Sequence, residues 1–321
     1  MKEFTIGKNE DGKRLDAVAA LIIPNAGKGF VYRMLRKKNI VLNDRKAEGT
    51  ERVRAGDVIK FYFSDETFEG FAGTAQSGTD TDAPDGFGEM IVYQDEDIML
   101  INKPAGMLSQ KADASDVSVN ELMIAYLVAN GKMSEDELKT FRPSVCNRLD
   151  RNTSGIVCAG ISLRGTRELT QLIRDRKIGK YYLCIVCGEV IKQKVCLRSF
   201  LSKDEKNNRV RVSKTEFEGA LPVEIEYSTL KAADGYSLLK VRLITGKSHQ
   251  IRAQLASVGF PIAGDTKYGS KTQNDFLRKK YGIKRQLLTA YSLEFPDDTC
   301  LERVRSKTFT IPVPEDFFIG L

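Results

Sequence analysis

The sequence has one histidine, six cysteines and no long apolar run. Each scarcity removes a class of chemistry. A Ser-His-Asp triad would have to use His249, and no serine lies in a nucleophile-elbow pattern. A lone histidine beside a helix start reads first as a structural hydrogen-bonder. Six cysteines in 321 residues are too few for a disulfide framework and suit reduced thiols. Cys184 and Cys187 form a C-x-x-C pair, but a strand turns residues three apart to opposite faces, and no second pair follows at zinc-ribbon spacing. They read as buried thiols with no metal. Nothing approaches the ~18 consecutive apolar residues of a membrane span. The charged start, Met1 to Glu10, lacks the apolar core of a signal peptide. The expectation is a cytoplasmic protein with no membrane partner.

What is present is charge, unevenly placed. The net +7 divides into +6 over residues 1–63, −7 over 64–89 and +8 over 90–321. Two basic blocks around an acidic spacer suggest a polyanionic partner, for which a nucleic acid is the usual case. The bland alternative is a solvated surface. At roughly 100–200 residues per domain, the length predicts two or three domains.

Residues 1–63 read as a small α+β module. Leu15, Val18, Ala19 and Ile22 recur at helical spacing, and Phe30, Val31, Met34 and Leu35 mark a second helix. Arg33, Arg36, Lys37 and Lys38 crowd the rest of that second helix, placed to track phosphates. Ile40 to Leu42 and Val58 to Phe63 read as strands. Arg14-Leu15-Asp16, the basic second helix, Ile40-Val41-Leu42-Asn43 and Ala55-Gly56-Asp57 resemble, in that order, the small αL-type RNA-binding domain shared by a small-subunit ribosomal protein and tyrosyl-tRNA synthetases. Residues 64–89 are rich in Gly, Ser, Thr and Asp and read as an acidic flexible linker.

Residues 90–321 predict a hairpin (Met90–Tyr93 with Ile98–Asn102), helices over Ser118–Asn130, Thr166–Arg174 and Ser248–Val258, and strands over Tyr181–Val186, Val223–Leu230 and Tyr236–Leu243. Without regular βαβ alternation, this is an α+β domain on a mixed, mostly antiparallel sheet with flanking helices. Gly246-Lys247-Ser248 resembles the end of a phosphate-binding P-loop, but Val241 stands where the pattern needs glycine. A helix N-terminus beside Lys247 survives as an anion site.

Two clusters carry the chemistry. In Asn147-Arg148-Leu149-Asp150-Arg151-Asn152-Thr153-Ser154-Gly155, a carboxylate lies between two fixed cations. It is either a salt-bridged turn or a nucleophile or base. The second runs from Arg242 to Leu255 and resumes at Ala263 to Gly269. Together with Lys103-Pro104-Ala105-Gly106, Lys180-Tyr181 and Leu288-Thr289-Ala290, these segments resemble, in order, the motifs of RluA-type pseudouridine synthases. The resemblance covers Met90 to Pro296.

The resemblance implies an RNA isomerase that needs no cofactor. Asp150 matches the essential aspartate that attacks the target nucleotide, Tyr181 the tyrosine packed on the flipped uracil, and Arg252 the arginine paired with the aspartate. Arg148 matches a residue that fills the space left by the base. Lys103, Thr153, Lys180 and Lys247 fall in motifs expected to bind substrate. Extruding a stacked base costs a few kcal/mol, which an aromatic face partly offsets by ~1–3 kcal/mol of stacking. Asn147, Lys247 and Gln254 depart from the commonest family residues. The front module points to large-subunit (23S) ribosomal RNA as substrate, with no DNA, and the chain is expected to act as a monomer. The alternatives are the same activity on tRNA, and a non-catalytic RNA-binding or ribosome-assembly protein.

Overall fold

The computed structural model describes residues 1–72, 85–113, 115–191, 194–204 and 209–317. The elements begin with β1 (Lys2–Thr5), α1 (Leu15–Ile22), α2 (Lys28–Arg36), β2 (Ile40–Leu42), β3 (Arg45–Lys46), β4 (Val58–Phe61) and α3 (Asp65–Ala72). The hairpin β5 (Ile91–Gln94) and β6 (Ile98–Lys103) leads to α4 (Val119–Ala129), α5 (Glu135–Thr140), β7 (Ser144–Val145), β8 (Ser154–Gly160) and α6 (Leu163–Arg174). Four long strands follow: β9 (Gly179–Cys187), β10 (Lys194–Asp204), β12 (Leu221–Ala233) and β13 (Tyr236–Leu243), with β11 (Arg209–Ser213) between β10 and β12. The chain closes with α7 (Gln250–Ser257), α8 (Lys271–Tyr281), β14 (Leu288–Glu294) and β15 (Thr308–Thr310).

The chain divides into two compact units. The smaller takes residues 1–88, 121–144 and 161–164, so it is not the continuous 1–63 segment expected. Its sheet has the order β1-β4-β2-β3 and is antiparallel throughout. Leu15, Val18, Ala19 and Ile22 of α1 and Val31, Met34 and Leu35 of α2 are buried against it, as their spacing predicted. Glu10 links the later segment into this unit: it accepts the Gly7 N–H at 3.0 Å and the Thr140 hydroxyl at 2.6 Å.

The acidic spacer needs correction at its start. Residues 65–72 form α3, because Phe68 and Phe71 lie three apart and turn to one side of a helix. Phe68 meets Phe61 edge-on at 5.5 Å and Phe71 packs on Phe30 at 4.4 Å. Burying one such ring contributes about 1.5–3 kcal/mol, enough to outweigh a run of glycine and acidic neighbours. The middle of the expected linker, 73–84, lies outside the described residues.

The larger unit holds a sheet of order β11-β10-β12-β13-β9-β14-β8-β6-β5, with β15 on β14 and β7 on β8. Among the described strands only β8 and β14 pair in parallel. The fold is therefore α+β on a mostly antiparallel sheet. Every residue of β8 is buried, and Ile156, Cys158, Leu169 and Leu293 share one core cluster. Gly155, the second residue of β8, lies at φ 115°, where a Cβ would stand 2.2 Å from the Ala290 carbonyl oxygen. Close approach of β14 thus requires glycine after Thr153-Ser154. Cys184 and Cys187 are both buried in β9 as unpaired thiols. No helix among the described residues is long and apolar enough to cross a membrane.

Candidate active site

Asp150 sits in the tight turn that feeds β8, where the Thr153 N–H returns to the Asp150 carbonyl at 3.0 Å. Three features hold that turn. Leu149 is buried, and its N–H and C=O both bond the Ser109 hydroxyl, at 3.0 and 3.2 Å. Asn147 accepts the Cys158 N–H at 2.7 Å, so this departure from the family pattern is itself an anchor. Lys103, 0% exposed, directs its ammonium to the carbonyls of Pro104, Met107 and Arg151 at 3.0, 2.8 and 3.1 Å. Burial pushes that ammonium down to about 8, against the pull of the Asp150 charge.

Arg252 reaches Asp150 from α7. Its Nη1 donates to Asp150 Oδ2 at 2.8 Å, while Nε and Nη2 grip Asp265 at 2.7 and 2.9 Å. Burial alone would raise the fully buried Asp265 carboxyl. The guanidinium, with the N–H groups of Lys267 and Tyr268, reverses this and holds it below the ordinary range. Burial likewise works against the Arg252 charge, and its two carboxylates more than compensate. The planar fork suits this double duty, which a lysine point charge would not. Tyr268 lies beneath the guanidinium, 5.4 Å from its ring centre. His249 lies 3.9 Å from Asp150 Oδ2 through Nε2 and 2.9 Å from the Tyr268 hydroxyl through Nδ1.

The structure brings together Asp150 and Arg252 as expected, and it redistributes three of the other residues. Tyr181 and Tyr182 point to opposite faces of β9. Tyr181 donates its hydroxyl to Glu294 at 2.9 Å and carries Lys240 over its ring. Burial pushes the Tyr181 phenol up, with Glu294 as the nearest charge. Tyr182 is buried, and after burial the Asp150 charge is the next cause that raises its phenol. Of the two, Tyr182 is the tyrosine that the Asp150 charge reaches. The signal was present in the sequence: Lys180-x-Tyr182 keeps lysine and tyrosine on one strand face, whereas Lys180-Tyr181 separates them.

Lys103 and Thr153 also need correction as substrate contacts. All three Lys103 donors end on backbone carbonyls, and Thr153 is buried with its hydroxyl accepting from Gln286 at 3.3 Å. Both brace the Asp150 turn instead. Arg148 and Lys247 are exposed, and Lys180 is half-buried, its ammonium pushed down by that burial. Gln254, the third departure, is fully buried and ties α7 to β10 through the Leu197 carbonyl and the Ser199 hydroxyl. In the smaller unit Arg33, Arg36, Lys37 and Lys38 are all exposed. Asp265, Tyr268 and His249 received no catalytic assignment from sequence, because their contacts with Arg252 and Asp150 exist only in the fold.

The family model described as RNA pseudouridylate synthase matches residues 97–257. Ribosomal large subunit pseudouridine synthase C of Pasteurella multocida is 26% identical over 313 residues, covering 95% of this chain and 89% of the relative. Ribosomal large subunit pseudouridine synthase D of Borreliella burgdorferi is 29% identical, covering 100% and 91%. Among solved structures, human RNA Pseudouridylate Synthase Domain Containing 4 shares the fold at TM-score 0.57 and 20% identity, over 72% of this chain and 91% of that one. Domain Containing 1 from human gives TM-score 0.53 at 20% identity, over 71% and 83%. A carboxylate held by a buried arginine, in a chain whose matched segment carries both residues, thus has its context, and the chain belongs to the RNA pseudouridylate synthase family of isomerases.

Proposed function

We propose that this chain converts uridine to pseudouridine in large-subunit (23S) ribosomal RNA, with Asp150 as the reacting carboxylate. The observation that carries the reading is the Asp150–Arg252 pair at 2.8 Å, with Arg252 itself locked on Asp265. The target base leaves its stack and enters beside Asp150. The bond from N1 to the anomeric carbon breaks, the uracil turns, and C5 joins the anomeric carbon. C5 loses a proton and N1 gains one, so the atoms balance with nothing oxidised and no cofactor required. Tyr182 takes the place against the uracil that the motif order suggested for Tyr181. Arg148 fills the space left by the base, and Lys180 and Lys247 meet phosphates.

Two features support ribosomal RNA as substrate. The relatives described above carry that substrate in their names and match nearly the full length of this chain. The small unit exposes four cations on and just after α2, suited to a folded RNA backbone. The protein acts as a monomer, on RNA and not on DNA. Tritium release from RNA labelled at uridine C5 tests this. Wild type should release tritium from 23S rRNA transcript or immature large-subunit particles, and Asp150→Ala should not, while still binding RNA. Release from bulk tRNA alone would transfer the substrate to tRNA. No release from any of the three would leave a binding protein.

A further inference from the structure

His249 is the sole histidine in the chain, and its backbone lies in the left-handed region at φ 54°. A side chain other than glycine holds that conformation at a cost of order 1 kcal/mol, and such strain gathers at functional sites. The residue directly precedes α7, yet its side chain makes no capping bond to the helix. The imidazole turns inward and is 10% exposed.

The hydrogen bonds around the ring are all used by one tautomer. The Tyr268 oxygen accepts the Val210 N–H at 2.9 Å. That oxygen can accept a second N–H, but the phenol's own proton finds an acceptor among the described residues when it is given to Nδ1 of His249, at 2.9 Å. A neutral ring that accepts at Nδ1 carries its own proton on Nε2. The charges facing the ring are Asp150, Asp265, Arg252 and Lys267; burial is the largest influence and lowers the imidazole, keeping it neutral near pH 7. The Nε2 proton is thus on the side of Asp150 Oδ2, 3.9 Å away. Arg252 binds the same oxygen. Oδ1 of Asp150 receives no hydrogen bond from the described side chains.

We propose that His249 is a positioning residue for Asp150: its Nε2–H joins Arg252 on Oδ2, so that Oδ1 alone meets the nucleotide. At 3.9 Å the bond is not yet made, and an approach of about 1 Å as the site fills completes it. Tyr268 acts one step further out, by holding the tautomer. The inference rests on Asp150 as the reacting carboxylate and adds the choice of its oxygen.

The test compares His249→Gly, His249→Gln, Tyr268→Phe and the His249→Gly/Tyr268→Phe pair, with Asp150→Asn as control. Glycine removes the ring without straining the left-handed backbone, and the longer glutamine amide returns an N–H donor at the level of Nε2. Tritium release from the RNA that wild type modifies gives kcat and KM, and filter binding gives RNA affinity. His249→Gly should lower kcat by about 10- to 100-fold with KM and RNA affinity kept. His249→Gln should recover part of that loss. Tyr268→Phe should lower kcat alone but add little to His249→Gly, because both act through one hydrogen bond. Unchanged kcat in His249→Gly, beside an inactive Asp150→Asn, overturns the inference alone. Losses at His249 and Tyr268 that multiply in the pair also overturn it. Turnover by Asp150→Asn overturns the role of Asp150, and the inference with it.

Discussion

Arg252 holds Asp150 across 102 residues of chain, at 2.8 Å, through Nη1, the one guanidinium nitrogen that Asp265 does not engage. The pair is a lever with a buried end: Asp265 is 0% exposed, whereas the Asp150 side chain retains 26% exposure. Gripped by Asp265 at Nε and Nη2, the guanidinium holds the Asp150 carboxylate in one orientation, the one that the proposed reaction would present to the nucleotide.

Removing the buried end should therefore damage fold and catalysis together. Asp265→Ala leaves a buried guanidinium with one partner and should lower the unfolding free energy by about 3–5 kcal/mol, as read by urea denaturation. Arg252→Lys keeps a positive charge but loses the fork, so it should bind RNA and turn over far more slowly. Wild-type kcat in Arg252→Lys would show that orientation of Asp150 by a fork is unnecessary.

The two adjacent tyrosines should behave oppositely. Tyr182→Phe removes the hydroxyl on the Asp150 side and should lower kcat by at least ~100-fold if that oxygen moves a proton. Tyr181→Phe removes only the bond to Glu294. It should cost about 1 kcal/mol of stability or less and leave turnover near wild type. The reverse pattern in a tritium-release assay would return the role to Tyr181.

Lys103 predicts a pH signature. Its ammonium is pushed by burial from an ordinary 10.5 to about 8 in the folded chain. Below about pH 8 both folded and unfolded chains are protonated there, and the burden of burying the charge is full. Between about 8 and 10.5 the unfolded chain holds more protons than the folded one, so stability rises with pH. Wild type should accordingly gain on Lys103→Met in urea midpoint across that window. A constant gap would mean that the three carbonyls keep the ammonium at its ordinary value.

The basic face of the small unit should act on affinity alone. Changing Arg33, Arg36, Lys37 and Lys38 together to glutamine should weaken RNA binding and flatten its salt dependence by about one slope unit per lost phosphate contact. At saturating RNA, kcat should be unchanged. An unaltered salt slope would place the RNA elsewhere.

The strands and helices that sequence made legible are those with a strong internal pattern. The β5–β6 hairpin, β9, β12 and β13 lie within a few residues of expectation: β12 and β13 alternate buried and half-buried positions, whereas β6 and β9 are short apolar runs buried over most of their length. The missed elements have weak patterns of their own. Strands β10 and β11 carry charges at many outward positions, and α8 has one buried residue, Leu277. Helix α3 was hidden because its two phenylalanines gain their partners, Phe61 and Phe30, only once the small unit closes.

The order of motifs along the chain pointed to the family and the reaction class, because those depend on residue type and order, and the resemblance implied the pairing of Asp150 with Arg252 that the fold makes at 2.8 Å. Tertiary structure decided where each side chain ends. The backbone alternation of β9 turned Tyr181 and Tyr182 to opposite faces, and Lys103, at the end of β6, came to donate to the carbonyl of Arg151, 48 residues on. His249 changed most, since its ring comes within 2.9 Å of the Tyr268 hydroxyl and 3.9 Å of Asp150 only in the fold. A sequence states which donors and acceptors exist, but hydrogen bonds form only between groups brought within about 3 Å, and the fold alone sets that distance.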